Sequence, residues 1–136
     1  MAVGIAVLGL NALAAAWGGI AWSRRDPSVW FWYVLRAAQA AVVVQAVIGG
    51  VLLARGRDAG GLHLFYGLTP LFVSMVAEGA RVNAAQWELE GVEDVEELDR
   101  REQVLIARRV VLREMAIMTV GALMIVTLSL RAAGIF

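Results

Sequence analysis

Cysteine and lysine are missing from this chain of 136 residues, and it has only two prolines and one histidine. Without cysteine there are no disulfides, thiolate metal sites or thiol redox chemistry. All twelve cations are arginine, which together with the Ala, Val and Gly content suggests a GC-rich bacterial genome. The formal net charge is zero, so the charge balance implies no nucleic-acid partner.

Patterns that carry catalysis are missing as well. The sequence has no phosphate-binding glycine loop, no His-Glu-x-x-His pattern, no paired catalytic carboxylates and no serine elbow. We therefore predict neither a catalytic residue nor a metal site. These gaps weigh against an enzyme, and against a hydrolase, kinase or metalloprotease in particular.

Apolar residues are in excess, at 60% of the chain with a mean hydropathy of +0.71. They fall in four runs without Asp, Glu or Arg, at residues 1–23, 37–54, 59–77 and 115–130. Each run approaches or exceeds the roughly 17–20 residues that cross a bilayer core of about 30 Å. The sequence predicts an all-α protein, an integral membrane four-helix bundle in lipid.

The bundle is predicted to be a single membrane domain over residues 1–136. Transmembrane helices are expected at about residues 3–22, 28–53, 62–82 and 113–133, with Asp26 as the N-cap of the second helix. A cytoplasmic helical arm is expected before the last span, at about residues 93–112. Its acidic start and basic end complement a helix dipole.

Arginine counting predicts the orientation. The side of the first and third connections carries seven arginines, and the other side carries three: Arg55, Arg57 and Arg131. Cytoplasmic segments are enriched in Arg and Lys. We expect a multi-pass protein of the bacterial plasma (inner) membrane, with both termini outside.

Ionisable residues inside a bilayer are functional candidates, because their burial is costly. Arg36 on the second helix and Glu78 on the third are expected at similar depth, and Gln39 lies one turn beyond Arg36. These three side chains form a predicted intramembrane polar cluster. Its role is either a proton or substrate site or a structural ion pair.

His63 is the only histidine, near the outer end of the third helix, and Tyr66 lies one turn further on. A histidine there would ligate haem or bind a quinone carbonyl, or else bond a neighbour or water at the interface. One histidine in each chain makes a bis-histidine haem site only if two chains contribute.

The segment 45–50 (QAVIGG), a short polar turn and the segment 62–67 (LHLFYG) resemble a pattern in small uncharacterised four-helix membrane proteins of bacteria. The resemblance covers roughly the middle quarter of the chain and not the charged segment before the last helix. It implies the architecture and a role for His63, Tyr66 and Gln45. It implies no activity.

Three functions are compatible with these features. The first is a non-catalytic subunit or scaffold of a larger membrane assembly, whose partner is another membrane protein or a second copy. The second is a redox component that holds haem or quinone near His63. The third is a small homodimeric transporter or channel lined by Arg36, Gln39 and Glu78.

Overall fold

The computed structural model describes residues 2–57, 60–92 and 94–135, with the backbone alone for Leu62 and His63. Within these residues the chain is all-α and has no strand. Its four helices are α1 (Ala2–Ser23), α2 (Val29–Ala54), α3 (Gly61–Leu89) and α4 (Arg100–Ala132). We call the connections between them L1 (residues 24–28), L2 (55–60) and L3 (90–99).

Three of the helices, α1, α2 and α4, are long and apolar enough to cross a membrane, which is consistent with a membrane location. Helix α3 is not among them. Thr69, Ser74 and Glu78 lie within it and lower its hydropathy. It continues to Leu89, beyond the end expected near residue 82.

The prediction that Asp26 caps α2 is wrong. Ser28 is the N-cap, and its hydroxyl accepts the Phe31 N–H at 3.4 Å. Asp26 closes α1 instead, by donating its N–H to the Ala21 carbonyl at 2.9 Å, with Arg25 in the left-handed region at φ 54°. Since this closure uses residues 25 and 26, Ser28 is the extended residue that starts the next helix.

The arm also differs from the prediction of a helix from about residue 93, because α4 begins at Arg100. The Asp99 carboxylate caps it by accepting the Arg101 N–H at 2.5 Å. Within L3, Gly91 has φ 90° and Asp94 accepts the Glu96 N–H at 3.0 Å. These turn interactions compete with the helix over residues 94–98.

Each helix of the bundle packs against two others. Helix α1 contacts α2 and α4, and α3 contacts α4 and, less extensively, α2. Because the connections are short, neighbouring helices run antiparallel. Two buried clusters fill the interior. One surrounds Phe31, Leu35 and Met115, and the other consists of Val7, Val42, Val73 and Ile125.

Large apolar side chains also cover the outside of the bundle. Trp30 is 69% exposed, and Phe72 and Met75 are each 66% exposed. Large contiguous apolar surfaces on a protein mark contact with lipid or with another protein. Trp30 lies on α2, and Phe72 and Met75 lie on α3, so the apolar exterior of the bundle includes α3 as well as the three most apolar helices.

Helix α1 makes its closest approach at Gly18. A methyl group added there would meet the Thr119 hydroxyl and the Phe31 ring, whereas one added at Gly19 would meet nothing within 4 Å. Only glycine fits at position 18, between α2 and α4.

We expect Gly18→Ala to destabilise the protein by about 1–3 kcal/mol, the usual cost of overpacking a core. The matched control is Gly19→Ala, which should be neutral or stabilising, because alanine is favoured over glycine in helices by about 0.5–1 kcal/mol. Thermal unfolding in detergent measures both. Equal Tm values for the two variants would contradict the packing of α1.

Candidate functional site

A cluster of charged side chains joins α2, α3 and α4 near the L1 and L3 end of the bundle. Nη1 of Arg36 lies 2.5 Å from Oε1 of Glu78 and donates to Oε1 of Gln39 at 2.6 Å. Gln39 in turn donates from Nε2 to Oε1 of Glu78 at 2.8 Å. The structure thus brings together the three residues of the predicted polar cluster, and their functional role stays a prediction.

Two further residues, Arg81 and Glu114, extend this cluster. Nε and Nη2 of Arg81 each lie 2.9 Å from Oε2 of Glu78, and its Nη1 donates to Oε1 of Glu114 at 3.2 Å. The Arg81 guanidinium also lies 5.7 Å from the centre of the Trp32 ring, within cation–π range. We call Arg36, Gln39, Glu78, Arg81 and Glu114 the Glu78 cluster.

The polar cluster predicted from the sequence did not include Arg81 or Glu114. The i,i+3 spacing of Glu78 and Arg81 was the available signal, because side chains at that spacing meet on a helix. The contact from Arg81 to Glu114 joins residues 33 apart in the chain. It depends on the pairing of α3 with α4, which no local pattern reports.

The Glu78 cluster is electrically neutral, with two arginines and two glutamates. A carboxylate offers about four acceptor positions. Those of Glu78 face four nitrogen atoms, from Arg36, Gln39 and Arg81. Protonation of Glu78 would displace one of these donors, and an anionic solute would have to displace the Glu78 carboxylate from them. The contacts therefore form a clamp between helices.

A second set of ion pairs continues along α3 and α4. Nη1 of Arg113 lies 2.5 Å from Oε1 of Glu88, and Nε of Arg109 lies 3.9 Å from Oε2 of the same residue. Arg108 donates to the Arg25 carbonyl at 2.7 Å and so ties L1 to α4. The charged first half of α4 is therefore held by both α3 and L1.

A small cavity lies within the bundle beside the Glu78 cluster. It measures about 10 Å³ and is lined in part by Asn11, Gln39 and Ser74. Asn11 is 2% exposed, and its Nδ2 donates to the Val7 carbonyl at 2.8 Å. The volume is near the minimum for one water molecule. It does not accommodate a larger solute.

The predicted cofactor residues lie toward the L2 end of α2 and α3. The side chain of His63 lies outside the described part of the structure. Tyr66 is half-buried with its ring edge-on to Phe65, the ring centres 5.5 Å apart. Oε1 of Gln45 is buried without a hydrogen-bond partner among the described side chains.

An open groove lies outside the bundle, where L3 folds over the first turns of α4. Its volume is about 800 Å³. The Gln103 side chain holds L3 in place by donating from Nε2 to the carbonyls of Val95 at 2.9 Å and Leu98 at 3.0 Å. We call this concavity the L3 groove.

Among the described residues no group of three His, Cys, Asp or Glu side chains is placed to hold a metal ion. Comparisons of the chain with known protein families, with curated proteins and with solved structures found no match.

Removing the charge of Glu78 tests the clamp. We expect Glu78→Gln to lower stability by about 1–3 kcal/mol, the cost of leaving hydrogen-bonded groups unsatisfied. Adding Arg36→Gln to that variant should recover about half of the loss or more, because Arg81 keeps Glu114 and the cluster is neutral again. Thermal unfolding in detergent is the measurement.

The control for this series is Glu90→Gln, which removes the same charge from an exposed residue without an ion pair among the described side chains. It should leave Tm unchanged. If the double variant loses as much stability as its two single variants added together, the pairing of Arg36 with Glu78 contributes nothing.

Proposed function

We propose that this protein is a non-catalytic subunit or scaffold of a larger assembly in a bacterial plasma membrane. In this proposal all four helices cross the bilayer, L1 and L3 lie in the cytoplasm, and both termini lie outside. The observation that carries it is the Glu78 cluster, whose charges are balanced within one chain.

The neutral cluster supports a structural role because its charged groups already serve one another. Arg81 and Glu114 have side chains only 22% and 15% exposed, and a charge moved out of water without a partner costs several kcal/mol. Because its charges are paired, the cluster allows the more polar helix α3 to pack among three apolar helices. This supports α3 as a fourth membrane span.

The lengths of α3 and α4 support the scaffold function. At 1.5 Å per residue, the 33 residues of α4 extend about 50 Å, beyond the bilayer core of about 30 Å. Helix α3 has 29 residues and runs beside it. Their charged ends, with Glu88, Arg109 and Arg113, project from the bundle together with L3 and present a surface to a partner.

A redox component is the second candidate, and the buried Oε1 of Gln45 favours it. An acceptor without a partner is costly to bury, and a hydroquinone hydroxyl would satisfy it. The quinone or haem would then lie at the L2 end, near His63 and Tyr66. Loss of co-purifying quinone in His63→Ala and Gln45→Leu variants would support this role.

The transporter hypothesis has less support from a single chain. The described internal cavity of about 10 Å³ has room for one water molecule at most. A solute path would therefore have to form between two copies.

Cysteine labelling tests the four spans and their orientation, because the chain has no native cysteine. Arg57→Cys and Glu96→Cys flank α3, and both positions are exposed. On intact cells a membrane-impermeant maleimide should label Arg57→Cys and should label Glu96→Cys only after permeabilisation. Equal labelling at both positions would place L2 and L3 on one side and remove α3 as a span.

Native mass spectrometry tests the scaffold function. Extracted from its host membrane in mild detergent, the 14.6 kDa chain should appear with another polypeptide in a constant ratio. The control is the same purification from membranes that contain the untagged chain. It identifies proteins that bind the resin non-specifically. If the tagged chain appears only as a monomer, the scaffold proposal is wrong.

A further inference from the structure

The L3 groove combines an apolar floor with an acidic rim. Ile106 is 8% exposed and forms part of the floor with Leu98, and Leu105 is 54% exposed beside them. Its volume of about 800 Å³ lies in the range of protein ligand sites, about 300–1,000 Å³. Helical segments of partner proteins bind in such grooves through an apolar face.

The rim carries three carboxylates, those of Asp94, Glu97 and Glu102. Among the described side chains, none of the three lies within ion-pair distance of an arginine. The one cation in the lining, Arg109, lies beside Glu88, with 3.9 Å between Nε and Oε2. The groove therefore has a negative rim that its own chain does not neutralise.

We propose that the L3 groove binds a basic amphipathic helix of a partner protein. The partner's apolar residues would lie against Leu98, Leu105 and Ile106, and its Lys or Arg side chains would face the rim carboxylates. This inference rests on the proposed scaffold function, to which it adds the chemistry of the partner and the place where it binds.

Charge complementarity favours a protein segment over the bilayer surface. The cytoplasmic leaflet carries anionic lipids, which repel three unpaired carboxylates and attract a basic helix. The geometry of L3 also favours a groove that exists before binding. Asp99 accepts the Arg101 N–H, and Gln103 donates to the carbonyls of Val95 and Leu98, so both residues hold L3 against α4. Asp94 stabilises the turn within L3 by accepting the Glu96 N–H.

Thiol protection tests the proposal in the full-length protein, held in nanodiscs of phosphatidylcholine. The probe is a cysteine-free Leu/Lys amphipathic peptide of about 18 residues, long enough for a stable helix on binding. Leu105→Cys reports on the groove. Val104→Cys is the matched control, because it is 58% exposed and does not line the groove.

The Leu/Lys peptide should slow maleimide labelling of Leu105→Cys by about tenfold at saturation, as expected for a residue covered by a partner. Labelling of Val104→Cys should not change. A Leu/Glu peptide of the same length should give no protection, and about 0.5 M NaCl should weaken the protection, since surface charges are then screened.

Charge variants locate the binding energy on the rim. The triple variant Asp94→Asn, Glu97→Gln and Glu102→Gln, made in the Leu105→Cys background, should require about tenfold more peptide for the same protection. The single variant Glu96→Gln removes a carboxylate of the same connection outside the groove lining and should leave the peptide requirement unchanged.

Other occupants give different outcomes, and each would overturn the proposal. Equal slowing at both cysteines would mean that the peptide binds the bilayer. Slowing that rises with protein concentration, without peptide, would mean that a second copy fills the groove. Equal protection by the Leu/Glu peptide, or none by either peptide, would remove the basic partner.

The peptide test is independent of the native mass spectrum. A peptide that protects Leu105→Cys while the native protein is found alone would retain the groove and remove the scaffold function. A native complex without peptide protection would retain the scaffold function and remove this binding site.

Discussion

The electrostatic balance around Glu78 is the constraint on which the arrangement of the helices depends. Three of the four helices are apolar, and charged groups are stable among them only when paired. Glu78 meets that requirement through Arg36 and Gln39 from α2 and Arg81 from its own helix, and Arg81 meets Glu114 of α4. The contacts fix the rotation of α3 and its register against two neighbours, because a helix turned by 100° would separate the partners.

Close packing around α1 complements this polar clamp. Helix α1 has no charged side chain before L1, so no side-chain ion pair positions it and its packing against α2 and α4 depends mainly on shape. Gly18 admits the Phe31 ring and Thr119, and Asn11 uses one of its amide hydrogens within its own helix. The bundle therefore has two kinds of interface. Among the described side chains, the interfaces of α1 with α2 and α4 contain no ion pair and depend on a small residue, whereas α3 adds ion pairs to its apolar contacts through Val73 and Ala77.

The charged ends of α3 and α4, together with L3, differ from the rest of the bundle in how their charges are paired. Beyond Arg81 and Glu114, α3 and α4 continue as a charged pair with Glu88 between Arg109 and Arg113. Hydrogen bonds from Gln103 hold L3 beside this pair, and the acidic rim of the L3 groove results from that placement. Charges in the bundle are paired within the chain, while those on the groove rim are not. The proposed scaffold function and the proposed partner site at the groove both depend on this contrast.

The hydropathy of the sequence was sufficient to predict the all-α class, the number of helices and the apolar character of α1, α2 and α4. Each of these properties depends on runs of neighbouring residues. The approach of Arg36 to Glu78 also follows from their positions on antiparallel helices. The start of α4 at Arg100 and the N-cap of α2 at Ser28 were decided by turns that compete locally with the helix. Composition does not predict which of the two forms. Only the tertiary structure joined Arg81 to Glu114, because these residues are 33 apart in the chain and meet through the packing of α3 against α4. The L3 groove likewise depends on how L3 folds back over the first turns of α4, which hydropathy does not report.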